Sequence, residues 1–148
     1  MFAAAALRFH GERALLLDLE TTDDDQDHVV ALFRRNGAWG AISKTNHAVL
    51  RYREPVYRSV RELAMSYFHE YFLQSTGKKT LRAFAGPIDL CRFDRTGWMT
   101  SEQEVWHIPQ YLCEIRHHSI LTTAQIRSLR PSDSIERAFG EIVEWPCP

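Results

Sequence analysis

Asn36-Gly37 stands between two apolar runs, Val29 to Phe33 and Ala38 to Ile42, and this dipeptide constrains the fold more than any other feature of the chain. Both central positions of a type I′ turn need φ > 0, and the twist of that turn matches the twist of antiparallel strands. A hairpin of readable register follows. Arg35 faces Ala38, Val30 faces Ser43 and His28 faces Thr45. Side chains alternate between faces, so His28, Val30, Ser43 and Thr45 share one side of the sheet. Ser43 is then a diagonal neighbour of His28, roughly 7–8 Å away at Cα and within reach of its side chain. An imidazole beside a hydroxyl is the arrangement of a base and the group that orients it.

The flanking segments supply the rest of a mixed domain. Met1 to His10 reads as an alanine-rich helix stopped by Gly11, with no Ser, Thr, Asp or Asn ahead of it to cap its start. Ala14 to Leu19 is an apolar run suited to a central strand. Lys44 to Tyr57 is a polar connection, with Pro55 arguing against helix. Ser59 and Glu62 form a capping box before Val60, Leu63, Ala64, Tyr67, Phe68, Tyr71 and Phe72, whose spacing predicts a helix over 60–72 with that stripe in the core. Thr80 to Phe93 reads as extended and interrupted by Gly86-Pro87. Further helices are expected after Ser101, broken or kinked at Pro109, after Thr122, and after Asp133, the last with Ile135, Ala138, Phe139, Ile142 and Val143 on one face and ended by Pro146-Cys147-Pro148.

With 148 residues and no repeat or low-complexity linker, the chain is expected to form one domain over 1–148. The fold class expected is α+β, an antiparallel sheet packed against the first helix and the 60–72 helix. A formal charge of -1 gives no basic excess to draw the molecule to nucleic acid or an anionic membrane. Cys91, Cys113 and Cys147 form no Cys-x-x-Cys pair and leave an odd thiol, so all three read as free cysteines of a reducing, cytoplasmic setting. The apolar run Phe2 to Leu7 has no cation before it and is too short to span a bilayer.

The order of an alanine-rich helix ending in glycine, an apolar strand, Asp27-His28-Val29-Val30-Ala31-Leu32-Phe33, a turn and Trp39-Gly40-Ala41-Ile42-Ser43-Lys44-Thr45-Asn46 resembles a bacterial branch of the transglutaminase-like superfamily. Arg53-Glu54-Pro55-Val56-Tyr57-Arg58 and the stretch Arg61 to Phe72 are similar to the same branch, so the resemblance covers roughly the first 110 residues. It implies a papain-like core and a cysteine acyltransferase or hydrolase acting on peptide or amide acyl groups through a thioester. A cysteine at the start of the central helix is the family's nucleophile, a histidine opening the next core strand its base, and an aspartate on the neighbouring strand the group that orients the base.

Carried onto this chain, the base is His28 and the orienting position falls on Ser43, with Asn46 as a second choice that would face away from His28 in an uninterrupted hairpin. The cysteine matches no residue and would lie just ahead of Met1, so the domain is expected to be N-terminally incomplete and this chain inactive by itself. The alternative is a non-catalytic binding domain that retains the fold and the cleft. A peptide or protein is the expected partner, and no cofactor or metal is expected.

Other chemistry is weaker. Asp23, Asp24, Asp25 and Asp27 lack the spacing and glycine of an EF-hand and read as a solvated loop. His117-His118 and His69-Glu70 lack the i, i+4 histidine pair of helical zinc sites and read as surface or interface residues. Cys91 reads as a small hydrophobe within a strand, and Trp39 as a packing residue. Arg51, Arg53, Arg58 and Arg61 with Tyr52 and Tyr57 are expected to form a solvated face pairing with Glu54 and Glu62 rather than an anion-binding surface.

Overall fold

The hairpin forms with the expected register in the computed structural model, which describes residues 1–146. Strands β2 (His28–Arg35) and β3 (Ala38–Ile42) are antiparallel, with Arg35 opposite Ala38 and Ala31 opposite Ile42. Asn36 at φ 51° and Gly37 at φ 81° supply the two left-handed turn positions. On the other side of β2 lies β1 (Leu15–Glu20), where Leu17 faces Val30 and Leu19 faces His28. β5 (Ala83–Asp89) pairs with β1, and the short strands β4 (Arg53–Tyr57) and β6 (His118–Ser119) form the edges. The result is an antiparallel sheet of six strands in the order β4-β3-β2-β1-β5-β6, and the fold class is α+β.

Both faces of the sheet are covered, which is why β1 is apolar almost throughout. Leu15, Leu17, Leu19, Val30, Leu32 and Ala41 meet Val60, Leu63, Ala64, Tyr67, Phe68 and Tyr71 on one face. Leu16, Ala31, Ala85 and Ile88 meet Ala4, Leu90, Trp98, Ile108 and Leu112 on the other. Helix α1 (Phe2–Phe9) ends where expected, with Gly11 at φ 84°.

Several expectations are corrected. The polar connection 44–57 contains β4, and Pro55 is tolerated there because an edge strand leaves one side of its backbone unpaired. The 60–72 helix is shorter, with α2 (Val60–Ser66) followed by a 3-10 turn at Phe68–Glu70, although its apolar stripe is buried as read. Only Ala83–Asp89 of the 80–93 segment is strand, so Cys91 lies in the 3-10 helix Leu90–Thr96 and is exposed. No helix starts at Ser101. Helix α3 (His107–Glu114) instead holds Pro109 in its first turn, where a missing N–H costs no intrahelical bond.

Helices α4 (Thr123–Arg127) and α5 (Ser134–Glu141) both start on full capping boxes, from Thr122 with Gln125 and from Asp133 with Glu136. The apolar face of α5 is open rather than buried: Ile135 is 80% exposed and Phe139 51%. Cys147 and the Pro-Cys-Pro stop lie outside the described residues. Among the described residues no helix is long and apolar enough to cross a membrane.

Candidate functional site

His28 opens β2, and its Nε2 lies 2.8 Å from Ser43 Oγ just past the end of β3. The pair follows from the register, since the turn that sets Val30 against Ser43 leaves the imidazole diagonally across from the hydroxyl. Ser43 Oγ also lies 2.6 Å from the carbonyl oxygen of Leu50. A carbonyl only accepts, so the one hydroxyl proton goes to Leu50 and Ser43 must accept from the ring. The neutral ring therefore carries its proton on Nε2. Its Nδ1, which no hydrogen bond engages among the described residues, keeps the lone pair of a base.

Burial holds the pKa of His28 below the ordinary 6.5, and the ammonium of Met1 lowers it further. A serine hydroxyl adds no charge to oppose that shift, so the ring is neutral at neutral pH and able to take a proton. The last turn of α1 is held by Arg8 on Asp94, with oxygens at 2.6 Å.

The loop after Ser43 is built with unusual care. Leu50 adopts φ 56°, a left-handed conformation that a leucine occupies at a cost of roughly 1–3 kcal/mol. Its N–H donates to Glu70 Oε2 at 2.5 Å, and Glu70 Oε1 accepts from Arg53 at 2.5 Å. Thr45 Oγ1 donates to the Val49 carbonyl at 2.7 Å, closing the loop on itself. Leu50 and Glu70 were not candidates from sequence, because a left-handed leucine and a contact across 20 residues leave no local pattern. The 3-10 turn that carries Glu70 is what brings it there.

A cleft of about 320 Å³ adjoins the pair, lined by Asp25, Asp27, His28, Leu50, Tyr71 and Phe72 among others. Tyr71 is 3% exposed, and its hydroxyl has no hydrogen-bond partner among the described residues. Burial pushes its pKa far up, so it stays a neutral phenol with a proton to donate. The acidic loop beside the cleft is more structural than expected. Asp27 Oδ1 accepts from the Thr21 N–H at 2.7 Å, and Asp25 Oδ2 from the Thr80 hydroxyl at 2.5 Å. No group of three or more His, Cys, Asp or Glu among the described residues is placed to hold a metal ion.

Asn46, the second choice as orienting group, is corrected. Its amide donates to the Trp145 carbonyl at 2.8 Å and accepts from the Trp145 N–H at 2.9 Å, so it clasps the C-terminal segment instead of the ring. Cys91 is far from His28. It follows Asp89, which pairs with Leu15, whereas His28 pairs with Leu19, and four residues of strand are about 14 Å. A hydrogen bond with Asp89 raises its pKa as well, which keeps the sulfur protonated.

His117 is not a surface residue. Its Nε2 lies 3.0 Å from Asp18 Oδ2 and its Nδ1 donates to the Ile115 carbonyl at 3.1 Å, with both side chains of the pair largely buried. Of the arginine cluster, Arg51, Arg53 and Arg61 find side-chain partners other than Glu54 and Glu62, while the Arg58 N–H donates to Glu62 Oε2 at 2.7 Å. Arg53 pairs with Glu70, Arg51 with Glu144 at 3.3 Å, and Arg61 donates to the Ile120 carbonyl at 2.9 Å. Trp39 is partly buried against the core, with the Arg34 guanidinium 5.3 Å from its ring centre.

No protein-family model matches the chain, and no curated protein matches its sequence closely.

Proposed function

We propose that this chain carries the base side of a transglutaminase-like thiol site, in which His28 takes the proton of a cysteine and later returns one to the leaving amine. Ser43 orients the ring. The observation that carries this reading is the contact of His28 Nε2 with Ser43 Oγ, with the hydroxyl proton committed to Leu50 so that Nδ1 is the basic nitrogen. In this reading the thiolate stands at the start of a helix, whose positive end favours it, as the resemblance implies. The substrate class is a peptide or amide acyl group, and the partner a peptide or protein, as the resemblance in residues 1–110 implies. Exposed, free Cys91 and Cys113 suit a reducing compartment such as a bacterial cytoplasm.

Cys91 is not placed to act as the nucleophile, and in this reading the thiol is one that the described residues do not supply. A version extended at its amino end by a segment bearing a cysteine should gain thiol-dependent activity. The test is an acyl-transfer and hydrolysis assay on both lengths with an electrophilic thiol probe. Activity confined to the extended form and lost in His28→Ala is expected. Fast labelling of Cys91 in the short form, abolished by His28→Ala, would overturn the reading.

A further inference from the structure

We infer that Glu70 is a positioning residue for His28, acting through the backbone of Leu50 and the hydroxyl of Ser43. The inference rests on the reading of His28 as the base, and it accounts for which ring nitrogen is basic. Leucine does not hold φ 56° unaided, so the Leu50 backbone must be held from outside. Glu70 holds it, by accepting the Leu50 N–H at 2.5 Å.

The carboxylate is itself fixed. Arg53 takes its other oxygen at 2.5 Å, donates to Ser66 Oγ at 3.0 Å and to the Ser66 carbonyl at 3.2 Å, and lies 4.0 Å over the Tyr67 ring. The end of α2 thus anchors Arg53, Arg53 anchors Glu70, and Glu70 anchors Leu50. In that pose the Leu50 carbonyl captures the Ser43 proton at 2.6 Å, and the imidazole is left to donate through Nε2.

Without Glu70 the Leu50 N–H loses its acceptor and the left-handed conformer its hold. Ser43 is then free to donate to Nε2, the ring proton moves to Nδ1, and the basic nitrogen is blocked. A fixed acceptor is the essential element rather than the charge. Glutamine keeps one oxygen and can accept from the Leu50 N–H only by turning its NH2 toward Arg53, whereas alanine and methionine supply no acceptor.

The test is nitrogen-15 NMR of the His28 ring in the full chain, at a pH where the ring is neutral. The wild type should carry its proton on Nε2. In Glu70→Ala the ratio of the Nε2–H to the Nδ1–H form should fall about fivefold, the factor one hydrogen bond of ordinary net strength sets, and Glu70→Gln, which keeps one acceptor but loses the Arg53 pair, should fall less. Glu70→Met, which keeps the packing of the stem, serves if the alanine variant does not fold. A purely structural role would lower the melting temperature and leave the ratio alone. An unchanged ratio in folded Glu70→Ala or Glu70→Met, or a larger fall in Glu70→Gln than in Glu70→Ala, would overturn the inference. Activity is not part of this readout: a fixed ring in a chain that never performs acyl transfer would count against the proposed function alone.

Discussion

Ser43 stands where the resemblance leads one to expect an aspartate, and the consequence is electrostatic. A hydroxyl accepts the Nε2–H at 2.8 Å as a carboxylate would, but it leaves burial and the Met1 ammonium unopposed in lowering the His28 pKa. Ser43→Asp should therefore raise that pKa, because an adjacent negative charge favours the imidazolium. Proton NMR titration of the ring in both proteins checks this, and an unchanged or lower value in the variant would contradict it. The same shift makes stability depend on pH. A histidine whose folded pKa lies below 6.5 binds fewer protons folded than unfolded, so its contribution is complete above 6.5 and is lost as pH falls below it. Urea unfolding at about pH 7.5 and 5.5 should show a smaller loss on acidification in His28→Gln than in wild type. An equal loss would mean that other groups carry the acid sensitivity.

The elements legible in the sequence are those specified by neighbours along the chain. The Asn36-Gly37 turn, the caps at Thr122 and Asp133, and the stop at Gly11 each need a few adjacent residues, and each forms as read. The stripe from Val60 to Tyr71 is buried although its helix ends early. Phe68, 6% exposed, should therefore cost roughly 3–5 kcal/mol on change to alanine. Phe139, on the apolar face read for the helix after Asp133, is 51% exposed, and its loss should stay near the surface scale of about 0.5 kcal/mol. Chemical unfolding of both variants separates the two faces, and equal losses would contradict the assignment. Periodicity identifies an apolar face but not what lies opposite it, which is why the face of α2 is buried and that of α5 open. Gly40 shows a packing requirement that no pattern announces. It lies opposite Phe33, and a methyl there would sit 2.9 Å from the Arg53 carbonyl oxygen, so Gly40→Ala should cost about 1–3 kcal/mol by overpacking. A fully stable variant would show that β3 and β4 can part without penalty.

At the scale of the molecule, the sheet separates two tasks. One face, with α2 and the 3-10 turn after it, fixes Ser43 and the ring of His28 through Arg53, Glu70 and Leu50. On the other face α1 packs through Ala4 in the cluster of Leu16 and Ala31, with its last turn held by Asp94. The His28 and Ser43 pair was legible because one turn sets its register. Its support was not, because Glu70 and His117 meet partners 20 and 99 residues away. The central claim is that His28 keeps a free basic nitrogen at Nδ1, which the proposed function sets to serve a thiol at the start of α1. The most direct test places a cysteine immediately ahead of Met1 and measures its alkylation rate against pH, with and without His28→Ala. The account predicts a thiol that reacts well below the ordinary cysteine pKa of about 8.5 and returns to ordinary behaviour when His28 is removed. An ordinary thiol, indifferent to His28, would contradict it.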